Sequence, residues 1–251
     1  MRLAFARHAT ALLEFGGLRL LLDPMLGPAG SQPPEEAKNG DRRRNPLVEL
    51  PVPLRKLLDV DGVLVTHTHT DHFDAEAARR LPKGLPVFCQ PPDVPKLRGY
   101  GFAEVCGLSG DRAWRGLRIA RTTGRHGRGT FGESLGPVSG FVLSADGEPT
   151  LYVAGDTVFC PEVEAALARY RPAVVVLCAG AAEYAEGGPI IMDAGDVVEV
   201  SRMVPEARLV AVHLEAFNHC LLSRRDLKTA LEQEGIAGRV AVPEDGEMLA
   251  Y

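Results

Sequence analysis

Within Thr66-His67-Thr68-His69-Thr70-Asp71-His72, seven residues carry four groups able to bind a metal or move a proton. Packing alone does not call for that density of imidazole and carboxylate. Imidazoles at positions 67 and 69, two residues apart on a tight turn, point at one ion, while the adjacent Asp71 and His72 point a few ångström away. Zinc takes neutral imidazole and carboxylate at about 2.0–2.2 Å, and paired ions in hydrolases stand roughly 3.5–4 Å apart, so the spacing suits two neighbouring metals.

The flanking segments define how this stretch is held. Asp61-Gly62-Val63-Leu64-Val65 reads as a short buried strand, since an aliphatic, β-branched run follows a turn signal. Residues 74–81 are strong helix formers that stop at Pro82. The histidines therefore belong on a loop at a strand's C-terminal end. On these residues, His67-x-His69-x-Asp71-His72 after a hydrophobic strand, the chain resembles the metallo-β-lactamase superfamily, and the resemblance runs over almost its whole length. It implies further ligands at His126, in Thr123-Gly124-Arg125-His126-Gly127, at Asp156, in Ala154-Gly155-Asp156-Thr157, and at His213, after Leu209-Val210-Ala211-Val212. Leu22-Asp23-Pro24, Arg44-Asn45-Pro46 and the late histidine are most similar to the lactonase-like branch that includes ascorbate-6-phosphate lactonase. His219 competes with His213, but the strand ends directly on His213. His219 is left as a metal-supporting, substrate-facing or structural residue, and His8 reads as structural rather than as part of the site.

Elsewhere, segments 11–15 and 18–22 flank Gly16-Gly17, a hairpin signal, and lead to Asp23. Segments 138–145 and 149–154 flank Asp146-Gly147 and lead to Asp156. Two strand-turn-strand units ending in an acid suggest two pseudo-equivalent halves of a single domain spanning 1–251. Residues 27–46, rich in Gly, Pro and charge, form either a flap over the site or a mobile excursion. Glycines 124, 127, 129 and 132 predict a pliable loop around His126. Residues 93–97 open a short helix, Pro161 begins one that runs to about Tyr170, and Asp193 and Ser223 resemble N-caps with an acid three residues on. Strands and helices alternate in an order that two mixed sheets with helices outside would satisfy. The resemblance implies the same: an α+β, four-layer αββα sandwich of two mixed β-sheets with helices on both outer faces.

With 251 residues and 45% hydrophobic content, the chain buries a substantial core but has no room for a separate binding domain. A net charge of −5 argues against a general nucleic-acid surface. Five cysteines with no C-x-x-C spacing read as reduced thiols, with Cys89 and Cys178 packed in strands. No signal-like h-region and no apolar run of about 20 residues stands out, so a soluble, cytoplasmic protein is expected, with a homo-oligomer compatible.

The expected chemistry is hydrolysis. His67, His69 and His126 on one divalent ion, Asp71, His72 and His213 on a second, and Asp156 between them would lower the pKa of a shared water toward about 7. Asp71 is the expected base. Zinc is the first choice for so many imidazoles, and manganese or iron also suits the mixed nitrogen and oxygen ligands. Two ions outweigh the two carboxylates, so the expected substrate is a small anion, a lactone or phosphoester, gripped by Arg44, Arg125 and Arg128, with His219 as a further contact. The alternatives on this fold are a nuclease or phosphodiesterase acting on nucleic acid and a di-iron redox protein. For the last, the family pattern has Glu where this chain has His69.

Overall fold

Near-continuous apolar runs dominate the central strand segments, such as Val174 to Cys178 and Leu209 to Val212, and such runs suit sheets buried on both faces. The computed structural model describes residues 1–251, in two seven-stranded mixed sheets. The first contains β1 (Arg2–Arg7), β2 (Thr10–Phe15), β3 (Leu18–Leu22), β4 (Gly62–Val65), β5 (Val87–Cys89) and β6 (Val105–Gly107). The second contains β7 (Arg112–Trp114), β8 (Leu117–Thr123), β9 (Ser139–Ser144), β10 (Leu151–Val153), β11 (Val174–Cys178), β12 (Arg208–Val212) and β13 (Val240–Ala241), and β14 (Met248–Ala250) returns to the edge of the first beside β1. In each sheet an antiparallel group passes into a parallel one, at β3 and at β10.

Alternation assigns each face. Along β3, Leu18, Leu20 and Leu22 enter the core between the sheets while Leu21 faces outward. Along β11, Val174, Val176 and Cys178 face inward, and Val175 and Leu177 meet the helices on the outer face of their own sheet. Helices α1 (Leu54–Leu58), α2 (Ala75–Arg80) and α3 (Val94–Gly99) cover the first sheet; α5 (Pro161–Tyr170), α6 (Ala194–Met203) and α7 (Arg224–Gln233) cover the second. The result is the four-layer αββα sandwich expected from the sequence.

Local signals explain the element ends. Gly16 and Gly17 adopt φ of 58° and 75°, the mirror-image turn that lets Phe15 pair with Leu18. The second hairpin is looser. β9 ends at Ser144 and β10 begins at Leu151, because Pro149 offers no N–H to a ladder. Asp74 caps α2 by accepting from Ala77 N at 2.7 Å, and Asp193 and Ser223 cap α6 and α7 by accepting from Asp196 N and Asp226 N.

Two expected loops are more ordered than their composition implies. The glycine-rich stretch after β8 contains a short helix, α4 (Gly129–Ser134), packed so closely that a Cβ on Gly132 would lie 2.5 Å from the Gly127 carbonyl carbon. Residues 27–46 form a strap held at both ends and in the middle by buried side chains. The fully buried Arg7 guanidinium donates to the carbonyls of Met25, Gly27 and Val48, tying down both ends. Asn218 donates to Glu35 O and Asp41 O and accepts from Glu35 N and Asn45 Nδ2, pinning the middle. No helix is long and apolar enough to cross a membrane.

Candidate metal centre

Strand ends gather at one edge of the sandwich. β4 delivers His67, His69, Asp71 and His72; β8 leads to His126, β10 to Asp156 and β12 to His213. His213 has a left-handed φ of 65°, and its N–H donates to His8 O at 2.8 Å. His8 and Asp23 also hold positive φ, 61° and 39°. Non-glycine residues take such backbone conformations at a cost of order 1–3 kcal/mol each, so three at one edge mark a site that its surroundings over-determine.

All seven ligands expected from the sequence are brought together. Candidate ligand atoms fall into three overlapping groups, each within 4.8 Å: His67, His69 and His126; His67, His72 and Asp156; and His8, Asp71, His72 and His213. His126 Nε2 stands 3.3 Å from His69 Nδ1, His72 Nε2 3.1 Å from Asp156 Oδ2, and His213 Nε2 3.3 Å from Asp71 Oδ2 and 3.4 Å from Asp156 Oδ2. A tetrahedron with bonds of about 2.1 Å has edges of about 3.4 Å, so these separations suit atoms sharing an ion.

The fit to metal rests on orphaned atoms. His67 Nε2, His72 Nε2, His213 Nε2 and Asp156 Oδ1 are buried and have no hydrogen-bond partner, a costly state for polar groups outside water. Asp156 Oδ2 is near enough to His72 to interact by charge, but the contact lacks hydrogen-bond alignment at the imidazole. The opposite nitrogens are engaged. His126 Nδ1 donates to Ile190 O at 3.0 Å, and His72 Nδ1 donates to Asp23 Oδ2 at 2.8 Å. Thr66 Oγ1 contacts His67 Nδ1 at 3.2 Å. Such anchoring fixes the ring and leaves the other nitrogen free to ligate.

Electrostatics divides the cluster in two. Burial alone would hold His72 neutral, yet Asp156, Asp71 and Asp23 outweigh it and raise its pKa to about 10. His213 is likewise raised well above the usual 6.5, burial being overcome by Asp156 and Asp71 with a contribution from Cys220. Asp71 and Asp156 are held well below the ordinary carboxylate range, because the imidazoles overcome their desolvation. Around the first group, burial and like-charged neighbours push His67 and His126 down. Cations at this edge would take the place of the protons that the carboxylates otherwise hold there.

Two participants were not assigned to the site from the sequence. His8, read as structural, lies with its Nε2 3.2 Å from Asp71 Oδ2 and its ring 3.5 Å from that of His213. Its place depends on a left-handed turn between β1 and β2 that carries no glycine or asparagine to announce it. Asp23 accepts from Thr66 N, Thr66 Oγ1 and His72 Nδ1, bridging the two motif-bearing strands. Its position at a strand end matching that of Asp156 was the available signal.

A cavity of about 260 Å³ opens on the cluster, lined by His69, Asp71, His126, Asp156 and His219 together with Glu35, Thr68, Thr70, Lys96, Leu135, Tyr184 and Ile190. His219 is buried, stacks on Tyr184 with ring centroids 5.5 Å apart, and burial lowers its pKa to about 4. The three arginines lie elsewhere. Arg44 donates to Gly30 O, Arg125 pairs with Glu162, and Arg128 pairs with Asp196; Arg125 and Arg128 line a neighbouring cavity of about 510 Å³ on the far side of His126.

A family model described as the beta-lactamase superfamily domain matches residues 18–214. The chain is 36% identical, over 254 residues covering 100% of both proteins, to the UPF0173 protein YddR of Bacillus subtilis (strain 168). Isothiocyanate hydrolase from Delia radicum gut bacteria is 37% identical and superposes with a TM-score of 0.95, covering 100% of this chain and 99% of that one. Igni18, a metallo hydrolase from the archaeon Ignicoccus hospitalis, is 25% identical with a TM-score of 0.73, covering 99% and 97%. With the sandwich, the imidazole and carboxylate edge and these relatives in agreement, the chain belongs to the beta-lactamase superfamily and is a metal-dependent hydrolase of the metallo-β-lactamase fold.

Proposed function

We propose that this protein binds two divalent ions, zinc by preference, and hydrolyses a small, uncharged electrophile of the isothiocyanate type. The observation that carries the binuclear reading is the set of buried, unpartnered atoms on His67, His72, His213 and Asp156 at the junction of three ligand groups. His67, His69 and His126 would hold one ion and Asp71, His72 and His213 the other, with Asp156 between them and His8 against Asp71. Ions bound there supply Lewis acidity and lower the pKa of water at the site toward about 7.

The chain's own residues supply the rest. Asp71 lines the cavity, orients the attacking water and accepts its proton. His219 and Tyr184, stacked on each other, also line the cavity, where a substrate heteroatom can be hydrogen-bonded as charge develops on it. Addition of water to R–N=C=S makes a C–O bond at the central carbon and opens the C=N π bond, one proton going to nitrogen and the other to sulfur, to give the thiocarbamic acid R–NH–C(O)–SH, whose C–N bond then breaks to release R–NH2 and COS. The small cavity without a guanidinium supports a neutral substrate, and so does similarity to the isothiocyanate hydrolase over the full chain. One observation favours a second reading, a small anionic lactone or phosphoester. Lys96, whose Nζ donates to Thr68 O at 2.6 Å, brings a positive charge to the cavity wall. We also take residues 1–251 as one domain of two pseudo-equivalent halves, a reading supported by the like strand order of the two sheets.

Elemental analysis and a substrate panel test these statements together. Two ions per chain are expected after loading, with turnover of a neutral isothiocyanate at least about a hundredfold above that of a phosphodiester. One ion or fewer removes the binuclear centre, and preference for the phosphoester removes the neutral-substrate reading.

A further inference from the structure

The strap over the cavity places one residue with unusual care. Both backbone groups of Glu35 are held by a single side chain: its N–H donates to Asn218 Oδ1 at 3.0 Å, and its carbonyl accepts from Asn218 Nδ2 at 2.8 Å. Asn218 is itself buried and immediately precedes His219, so one dipeptide fixes both the strap and a cavity wall. The strap is braced on either side, by Gln32 pairing with Asn45 and by Ala37 pairing with Tyr184. Lys38 N donates to Glu183 O, and Ala185 N to Glu36 O. With its backbone fixed in this way, Glu35 lines the same cavity as Asp71 and Asp156, and its carboxyl lies near the Tyr184 hydroxyl, with burial and the Asp71 charge raising its pKa above the ordinary value. No arginine lines that cavity; Lys96 is its one cationic side chain apart from the imidazoles, and its ammonium is already engaged by Thr68 O.

We propose that Glu35 is a specificity-determining residue, a fixed negative charge that disfavours anionic substrates and leaves the metal centre to small uncharged electrophiles. The inference rests on reading the site as a metal centre. Two unit charges about 8 Å apart near a protein surface interact strongly enough to change an affinity by about tenfold or more, and a doubly charged phosphate feels this more than a singly charged ligand. The position suits a filter rather than a ligand, because Glu35 belongs to none of the three candidate ligand groups. It also explains how a centre with an excess of positive charge could avoid being blocked by small cellular anions.

The test uses the full chain loaded with cobalt(II), whose visible spectrum reports binding at the centre without turnover. Wild type, Glu35→Gln and Glu35→Asp are each titrated with inorganic phosphate and with imidazole as a neutral ligand. Glu35→Gln keeps the backbone bonds to Asn218, so the fold is expected to hold, and circular dichroism checks this. The expected result is phosphate binding about tenfold or more tighter in Glu35→Gln, imidazole binding within about twofold of wild type, and phosphate binding in Glu35→Asp close to wild type. Unchanged phosphate affinity in Glu35→Gln overturns the filter while leaving the metal centre intact. An equal gain for phosphate and imidazole also overturns it, since that outcome reports access rather than charge. Failure of the folded protein to take up cobalt overturns both the filter and the reading on which it rests.

Discussion

Asp71 sits where two tasks meet. Its Oδ2 lies 3.2 Å from His8 Nε2 and 3.3 Å from His213 Nε2, while its carboxylate lines the cavity. Asp71→Asn keeps the shape but gives up the carboxylate that would take the water's proton. The variant is expected to fold and to lose at least about a hundredfold in turnover, the low end of general-base effects, in a steady-state assay of metal-loaded protein. Near-normal turnover would remove the base role. Asp23 acts through another residue: buried beside Thr66, it fixes the ring of His72 from behind. Asp23→Asn should weaken metal binding by about tenfold to a hundredfold, read by competition with a chromophoric chelator. Unchanged affinity would mean that packing alone orients His72.

At the scale of elements, the strap matters most. Residues 27–46 have no helix or strand of their own, yet a buried asparagine and a buried arginine give their backbone the partners that a sheet would otherwise supply. Asn218→Ala leaves Glu35, Asp41 and Asn45 without those partners. A loss of about 2–4 kcal/mol in unfolding free energy is expected from denaturant titration, since each buried group left unpaired costs about 1–3 kcal/mol and water recovers part of it. A loss below about 0.5 kcal/mol would mean that the strap is held by its packing instead.

For the molecule as a whole, metal and protons compete for one edge of the sandwich. His72 has a folded pKa of about 10, above its ordinary 6.5, so its stabilising charge is fully present below about 6.5 and is lost as pH rises through about 10. His213 shifts in the same direction. Asp71 and Asp156 are depressed, so their contribution is present above about 3.8 and is lost only in acid. Buried His8, His67, His126 and His219 are shifted downward and cost stability only as pH falls below about 6.5. Between pH 7 and 10, therefore, the metal-free chain should lose thermal stability, whereas bound ions keep the carboxylates neutralised. The difference in Tm between loaded and metal-free protein is expected to widen across that window in scanning calorimetry. A gap that stays constant or narrows would contradict this assignment of charge.

The sequence by itself determined the architecture and most of the centre. Continuous apolar runs call for sheets buried on both faces, Gly16-Gly17 forces a tight hairpin, and seven candidate ligands stand just beyond the ends of apolar runs, where the sheet edge exposes them. These are local signals, legible because apolar runs and turn chemistry act over a few residues. The tertiary structure decided what depends on contacts between distant segments. His8 joins the centre because β12 ends beside the turn after β1, and Glu35 reaches the cavity because Asn218, 183 positions away, holds its backbone. Arg125 and Arg128, one and two positions from His126 in sequence, point instead to Glu162 and Asp196. Proximity along the chain fixes where a backbone goes, but a long charged side chain turns toward whichever partner the packed helices present.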